Sequence, residues 1–227
     1  MAAASKDVML ERDAIRVNVA AVEAKIAAAC ARSGRAREEV TLVAVTKTFP
    51  AIAIDHAVAA GITDVGENRV QEARDKQPQT TAKARWHLIG HLQSNKAKDA
   101  VRLFDVIQTI DSLDLAEKIA KAAGEKRPEV LLQVNIGREA QKSGIEVDDV
   151  PAVAKQVGEL LDLRGLMAIP PHGDPEQTRA YFRELRRLRD ELGLRELSMG
   201  MSEDYETAIE EGATIIRVGR AIFGERG

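Results

Sequence analysis

Lys47 stands where a lysine can do chemistry. It lies in the stretch 40–50, V-T-L-V-A-V-T-K-T-F-P, where Val40, Leu42, Val43, Ala44 and Val45 form a short apolar run rich in β-branched residues. Pro50 forbids continuation of that run, so it reads as a buried strand with Lys47 as its last strand-like residue. Side chains on a strand alternate, which puts Lys47 on the face of Thr41, Val43 and Val45 and its ammonium at the rim of an apolar interior. Desolvation there disfavours the charged form and makes the amine a better nucleophile, as a Schiff-base lysine requires. A lysine that merely snorkels from a strand end into water satisfies the same pattern.

Other residues with chemical potential recur at similar positions. In I-I-R-V-G-R-A-I-F-G, residues 215–224, Gly219 opens a short helical turn whose backbone N–H groups and dipole could seat an anion, and no carboxylate follows before Glu225. An ordinary strand-to-helix connection would look the same. Arg217 sits among Ile215, Ile216 and Val218, so an inward guanidinium needs a partner. That partner is either a buried carboxylate or a ring nitrogen of pyridine type; a cation at the nitrogen would disfavour protonation of the ring and blunt its use as an electron sink. Ser202 reads as a helix N-cap with Glu203 and Asp204 in the first turn, and Ser198 lies just upstream. His87 and His91 are four apart, but Gly90 intervenes and Leu88 stands where a zinc-site glutamate would be, so a metal is not expected. Lys96, Lys98 and Arg102 read as a solvated helix face.

These residues need elements to position them. Apolar spacing predicts a long first helix over residues 7–33, then strands at 40–47, 63–66, 85–89, 105–110, 130–136, 163–168, 197–199 and 214–218. Helical segments at 51–60, 68–76, 94–103, 113–123, 148–161, 175–192 and 203–210, with the turn 220–223, alternate with them. Eight strand–helix units without a composition break predict a parallel (β/α)8 TIM barrel carrying an extra N-terminal helix, with a doubly wound open sheet as the alternative. Residues 1–227 form one domain in this reading, and residues 1–5 are expected to be disordered. A barrel would gather Lys47, Asn68, His87, His91, Gln93, Asp111, Asn135, Ser198, Ser202, Arg217 and Gly219 at the carboxyl ends of its strands, the face where such barrels place their sites.

Composition limits the partners. A chain with 44% hydrophobic and 30% charged residues and a formal net charge of -3 has no general electrostatic reason to bind nucleic acid or anionic lipid. No run approaches the roughly 18 apolar residues of a membrane span, and Lys6 and Asp7 interrupt the Ala-rich start, so a cytoplasmic location is expected. Cys30 is the single cysteine, amid alanines at helical spacing, which suits a packed helix face better than a reactive centre.

Five blocks then converge on one resemblance. V-A-V-T-K at 43–47, G-E-N at 66–68, W-H-L-I-G-H-L-Q-S-N-K at 86–96, L-S-M-G-M-S at 197–202 and R-V-G-R-A-I-F-G at 217–224 resemble, in the same order, the pyridoxal-phosphate homeostasis protein family. The resemblance covers the chain from the N-terminal helix onward. It implies a single-domain barrel related to the N-terminal domain of alanine racemase, holding pyridoxal 5'-phosphate (PLP) as an internal aldimine on Lys47. Arg217 would then face the pyridine nitrogen, Asn68 the ring, and Ser198, Gly219 and the backbone at Arg220 the phosphate. Arg220 departs from the pattern, because similar proteins usually carry a small hydroxyl residue there; a backbone contact survives that change and a hydroxyl contact does not. The implied function is intracellular PLP homeostasis, buffering or delivering the cofactor to PLP-dependent apo-enzymes, by a monomer without a reaction of its own. A PLP-dependent amino-acid racemase or decarboxylase of the same fold is the alternative, and a barrel enzyme with a free Schiff-base lysine is a second. The racemase brings a tyrosine from a second domain and partner subunit, whereas Tyr181 and Tyr205 here are expected to face the outer layer.

Overall fold

In a computed structural model, which describes residues 2–171 and 173–224, the chain runs α1 (Ala2–Arg32), β1 (Thr41–Val45), α2 (Ala51–Ala59), β2 (Asp64–Glu67) and α3 (Val70–Lys76). It continues through β3 (Arg85–Leu88), α4 (Ala97–Leu103), β4 (Val106–Ile110), α5 (Leu113–Ala123), β5 (Glu129–Asn135), β6 (Ile145–Glu146) and α6 (Val150–Leu160). The last third holds β7 (Asp162–Met167), α7 (Pro175–Glu191), β8 (Glu196–Ser198), α8 (Tyr205–Glu210), β9 (Ile215–Val218) and α9 (Arg220–Phe223). Every strand pairing is parallel, and β1 pairs with both β2 and β9 while β4 pairs with β5. The sheet therefore closes into an eight-stranded barrel, which removes the open-sheet alternative. The two-residue β6 lies outside the ring, bonded to β5 through Val134 and Asn135, and is too short to announce itself by periodicity.

Alternation along β1 divides its side chains as the pattern predicts. Val43 joins Leu131, Met167 and Ile215 in an apolar cluster inside the barrel, while Leu42 and Ala44 join the larger core between sheet and helices. That outer core takes Ile15, Val19, Val22 and Ile26 from one face of α1, whose exposed face carries Val17. Burial of four such side chains, at about 1.5–3 kcal/mol each, is what docks this helix. Cys30 is buried on the same face, and burial pushes its thiol upward against the pull of Arg35 and Arg37, which makes it a packing residue.

Several boundaries differ from expectation for identifiable reasons. Helix α1 runs from Ala2, earlier than the start at residue 7 expected from apolar spacing; Met1 lies outside the described residues. Strand β1 stops at Val45, two residues before Lys47, because Thr46 turns its hydroxyl onto Glu67 and Thr48 takes a positive φ of 71°. The basic segment 94–103 opens as a single 3-10 turn, Ser94–Lys96, before α4. Helix α8 starts at Tyr205 with Asp204 as its N-cap residue, so Ser202 belongs to the preceding turn.

Candidate functional site

Above the carboxyl ends of the strands lies a cavity of ≈ 750 Å³. Its walls bring together Lys47, Asn68, Ser202, Arg217, Gly219 and Arg220, residues spread over more than 170 positions of chain, with Val45, Ile89, Ile169 and Met201 as the apolar part. Lys47 is half-buried there, as the alternation from Val43 and Val45 requires even though the strand has ended.

The turn that carries Lys47 is pinned on both sides by a buried ion cluster. The Lys76 Nζ donates to the Thr46 carbonyl at 2.8 Å and to Glu67 Oε1 at 2.7 Å, and the same Glu67 oxygen accepts the Thr46 hydroxyl at 2.7 Å. On the other flank the Thr48 amide donates to Glu72 Oε2 at 2.9 Å, and Glu72 lies 3.4 Å from the Lys76 ammonium. Glu67 is fully buried, its Oε2 has no hydrogen-bond partner, and burial pushes its carboxyl up to about 7 against the pull of Lys76 and Thr46. Burial likewise pushes Glu72 upward, but the Thr48 amide and Lys76 outweigh it and hold that carboxyl below its ordinary value. Two carboxyl groups around one ammonium thus hold the residues either side of Lys47, and the unfavourable φ of Thr48 persists because its amide is bonded.

Asn68 follows β2 and is set by the neighbouring loop. A Cβ on Gly90 would lie 2.3 Å from the Asn68 carbonyl oxygen, so a side chain there would push Asn68 away, and Thr109 Oγ1 fixes the Gly90 carbonyl at 3.0 Å. Beside β1, Gly219 precedes α9, and a Cβ on it would come within 3.3 Å of the Val45 carbonyl oxygen, tighter than most such contacts. The Arg220 side chain is more than half exposed and pairs with Glu203 at the cavity edge, which leaves its backbone N–H at the start of α9.

Arg217 is 3% exposed and makes no ion pair among the described residues. Its Nη1 donates to Ser198 Oγ at 2.5 Å and its Nη2 to the Ala168 carbonyl at 2.9 Å. Burial pulls its guanidinium down to about 10, with the nearby Asp204 charge opposing. Asp204 accepts the Met201 amide at 2.6 Å, and burial pushes its carboxyl upward.

Several expected members of the site lie elsewhere. Ser198 is fully buried inside the barrel, below the cavity, with its hydroxyl donated to Gln108 Oε1 at 2.6 Å. His87 is buried between Asp64 and Gln108, whereas His91 is exposed and meets Asp111 at 2.9 Å, so the pair faces two different surroundings. Gln93 and His91 line a second cavity of ≈ 570 Å³ between α3 and the segment that follows β3. Asn135 is buried in a loop staple, its amide donating to the Glu139 carbonyl and to Glu146. Tyr181 packs against the outer core and Tyr205 is buried within it, and neither lines the first cavity. Glu67, Glu72, Lys76 and Gln108 were missed from sequence; Glu67 alone carried a signal, as the acid directly before Asn68.

The arrangement suits an anionic, carbonyl-bearing heteroaromatic ligand. It offers an amine, a buried guanidinium with two of its five N–H donors already used, apolar walls, and a glycine-led helix start free of carboxylates through Phe223. The two acids on the wall are occupied, Glu203 by Arg220 and Asp204 by the Met201 amide.

Known proteins fit this geometry. Residues 17–227 match the family described as alanine racemase, N-terminal domain. The pyridoxal phosphate homeostasis protein of Pseudomonas aeruginosa is 45% identical over 220 residues, covering 93% of this chain and 96% of that protein. The pyridoxal phosphate homeostasis protein of Escherichia coli K12 is 43% identical, covering 92% and 95%. The structure of PipY from Synechococcus elongatus PCC7942 with PLP bound superposes with a TM-score of 0.80 at 41% identity, over 92% of this chain and all of that one. Alanine racemase of Clostridium difficile shares the fold at a TM-score of 0.72 and 15% identity, over 94% of this chain and 57% of its own. With the closed barrel and this identity over nearly its whole length, the chain belongs to the pyridoxal phosphate homeostasis protein family and carries its alanine racemase N-terminal domain.

Proposed function

We infer that this protein binds PLP in the first cavity and serves intracellular PLP homeostasis by holding and releasing the cofactor. The observation that carries the reading is the convergence of Lys47, Asn68, Arg217 and the Gly219–Arg220 backbone on one half-apolar cavity. In this reading Lys47 holds the cofactor as a Schiff base, Arg217 donates to the pyridine nitrogen, Asn68 flanks the ring, and the N–H groups from Gly219 onward take the phosphate. Ser202, which lines the cavity, supplies the hydroxyl expected of Ser198. When bound, PLP could supply an electron sink for amino-acid chemistry, and Arg217 works against that use by disfavouring the protonated ring. The chain acts as a cytoplasmic monomer that hands PLP to apo-enzymes.

The phosphate seat makes a quantitative expectation. Each charge-assisted hydrogen bond lost is worth about 1.5–3 kcal/mol, or one to two powers of ten in affinity, so pyridoxal should bind far more weakly than PLP. Gly219→Val, crowding the Val45 carbonyl, should narrow that preference. Equal affinities of the wild-type protein for the two vitamers, measured by fluorescence titration, would remove the phosphate seat.

Carrier and racemase part company over proton transfer. Racemisation needs a proton donor on each face of the reacting carbon, and Lys47 can serve one. Among the described residues no tyrosine, histidine or cysteine lines the cavity, and Asp204 is engaged by the Met201 amide on the side of Arg217. The protein is therefore expected to show a visible cofactor band with no multiple-turnover exchange of the α-hydrogen of alanine or serine in deuterated water. Sustained exchange lost in Lys47→Ala would overturn the carrier reading and favour the racemase.

A further inference from the structure

A single line of hydrogen bonds crosses the barrel interior beneath the cavity, and only its first member touches the site. From Arg217 Nη1 it runs to Ser198 Oγ at 2.5 Å, from that hydroxyl to Gln108 Oε1 at 2.6 Å, from Gln108 Nε2 to His87 Nδ1 at 2.9 Å, and from His87 Nε2 to Asp64 Oδ1 at 2.8 Å. The line draws on β9, β8, β4, β3 and β2, and Ser198, Gln108 and His87 are all fully buried. A buried polar group without a partner is destabilising, and no fully buried side-chain nitrogen or oxygen of this line is left without one.

Its direction follows from its far end. Burial pushes the Asp64 carboxyl upward, but the bonds from His87 and from the Thr63 hydroxyl at 2.6 Å outweigh it and keep the group ionised and accepting. His87 Nε2 therefore donates, and Nδ1, which meets the Gln108 Nε2 amide at 2.9 Å, accepts from it. With that amide so turned, Oε1 faces Ser198 and takes its hydroxyl proton, which leaves the Ser198 lone pairs to Arg217. Every donor points from Arg217 towards Asp64.

Together with the Nη2 bond to the Ala168 carbonyl, the Ser198 contact fixes the plane of the guanidinium at two points. Resting on the reading that Arg217 meets the PLP ring, we propose that Gln108 and Ser198 are positioning residues that lock the Arg217 guanidinium for the pyridine nitrogen, with His87 and Asp64 setting the orientation of Gln108. Ser198 thus acts on the ring side of the cofactor through Arg217 and has no hydroxyl proton to give the phosphate. Asp64 is 7% exposed at the start of β2, so the line carries the effect of a carboxylate to the site without placing an anion beside the phosphate.

The test is a mutant cycle on the PLP-loaded protein. Gln108→Leu keeps the approximate shape and removes both amide atoms; Ser198→Ala, a smaller change, removes one oxygen. Each is expected to shift the absorbance maximum of bound PLP and to speed its release about 10- to 100-fold, the equivalent of one bond to a charged group, while borohydride still fixes the cofactor on Lys47. In an Arg217→Met background the same changes are expected to alter neither spectrum nor release rate. Circular dichroism identifies any variant that does not fold, and Ser198→Ala then decides. A release rate changed equally with and without Arg217 would show a general packing role and overturn the positioning role. A wild-type protein with no visible band and no Lys47 adduct would instead refute the PLP reading, and this inference with it.

Discussion

Borohydride reduction of the PLP-loaded protein is expected to place the cofactor on Lys47, and Lys47→Ala is expected to lose that adduct together with roughly 3 kcal/mol or more of binding, about two powers of ten in retention. The expectation rests on position. Lys47 is half-buried on the cavity wall, in line with Val43 and Val45, and shares that cavity with Arg217 of the neighbouring strand β9 and with the start of α9. Hydrogen bonds at Thr46 and Thr48 hold the backbone of the turn on either side of Lys47. For that reason the alanine variant should keep its fold, with stability changed by no more than about 1 kcal/mol. Peptide mapping by mass spectrometry reads the result: an adduct found on Lys76, Lys96 or any other lysine of the wild-type protein would reassign the covalent anchor.

Lys76→Met should produce the largest loss of stability, and a loss that depends on pH. Removing the ammonium leaves Glu67, which is fully buried, without its countercharge, and breaking such a pair typically destabilises by about 3–5 kcal/mol. The sign with pH follows from Glu67. Its folded value is raised from 4.5 to about 7, so between those values the folded protein binds a proton that the unfolded chain releases. In the wild type this group's contribution therefore falls as pH rises from about 4.5 to about 7. Without Lys76 the carboxyl is pushed higher still, so the full penalty appears above pH 7, while near pH 5 the neutral acid leaves only the lost hydrogen bonds of Lys76, about 1 kcal/mol. Urea unfolding at pH 5 and pH 8 measures both. Equal losses at the two values would mean that Glu67 is not the group that responds. Because Lys76 also holds the Thr46 carbonyl, the variant should release PLP faster even where it remains folded.

What the sequence determined by itself was local. The β-branched run before Lys47, its termination by Pro50 and the period-2 alternation through Val43 and Val45 place the lysine on the inner face, and they do so although the strand ends two residues earlier than its pattern suggests. Gly219 ahead of a carboxylate-free turn and Arg217 within an apolar strand are likewise legible, because each is a breach of a local rule that needs a reason. The alternation of strand and helix carries the parallel α/β architecture, while closure into a barrel rather than an open sheet is decided by the pairing of β4 with β5. The partners of the inward polar residues are another matter. Ser198 and Gln108 stand 90 positions apart, and Lys76 and Thr46 stand 30 apart. Whether their side chains meet depends on the stagger between strands around the closed ring, a global quantity that no window of sequence contains. Thus Ser198, read from its place near a phosphate motif, proves to serve the barrel interior, and Glu67, read as a neighbour of Asn68, proves to hold the Lys47 turn. Periodicity sets which way a side chain points; closure of the barrel decides what it finds there.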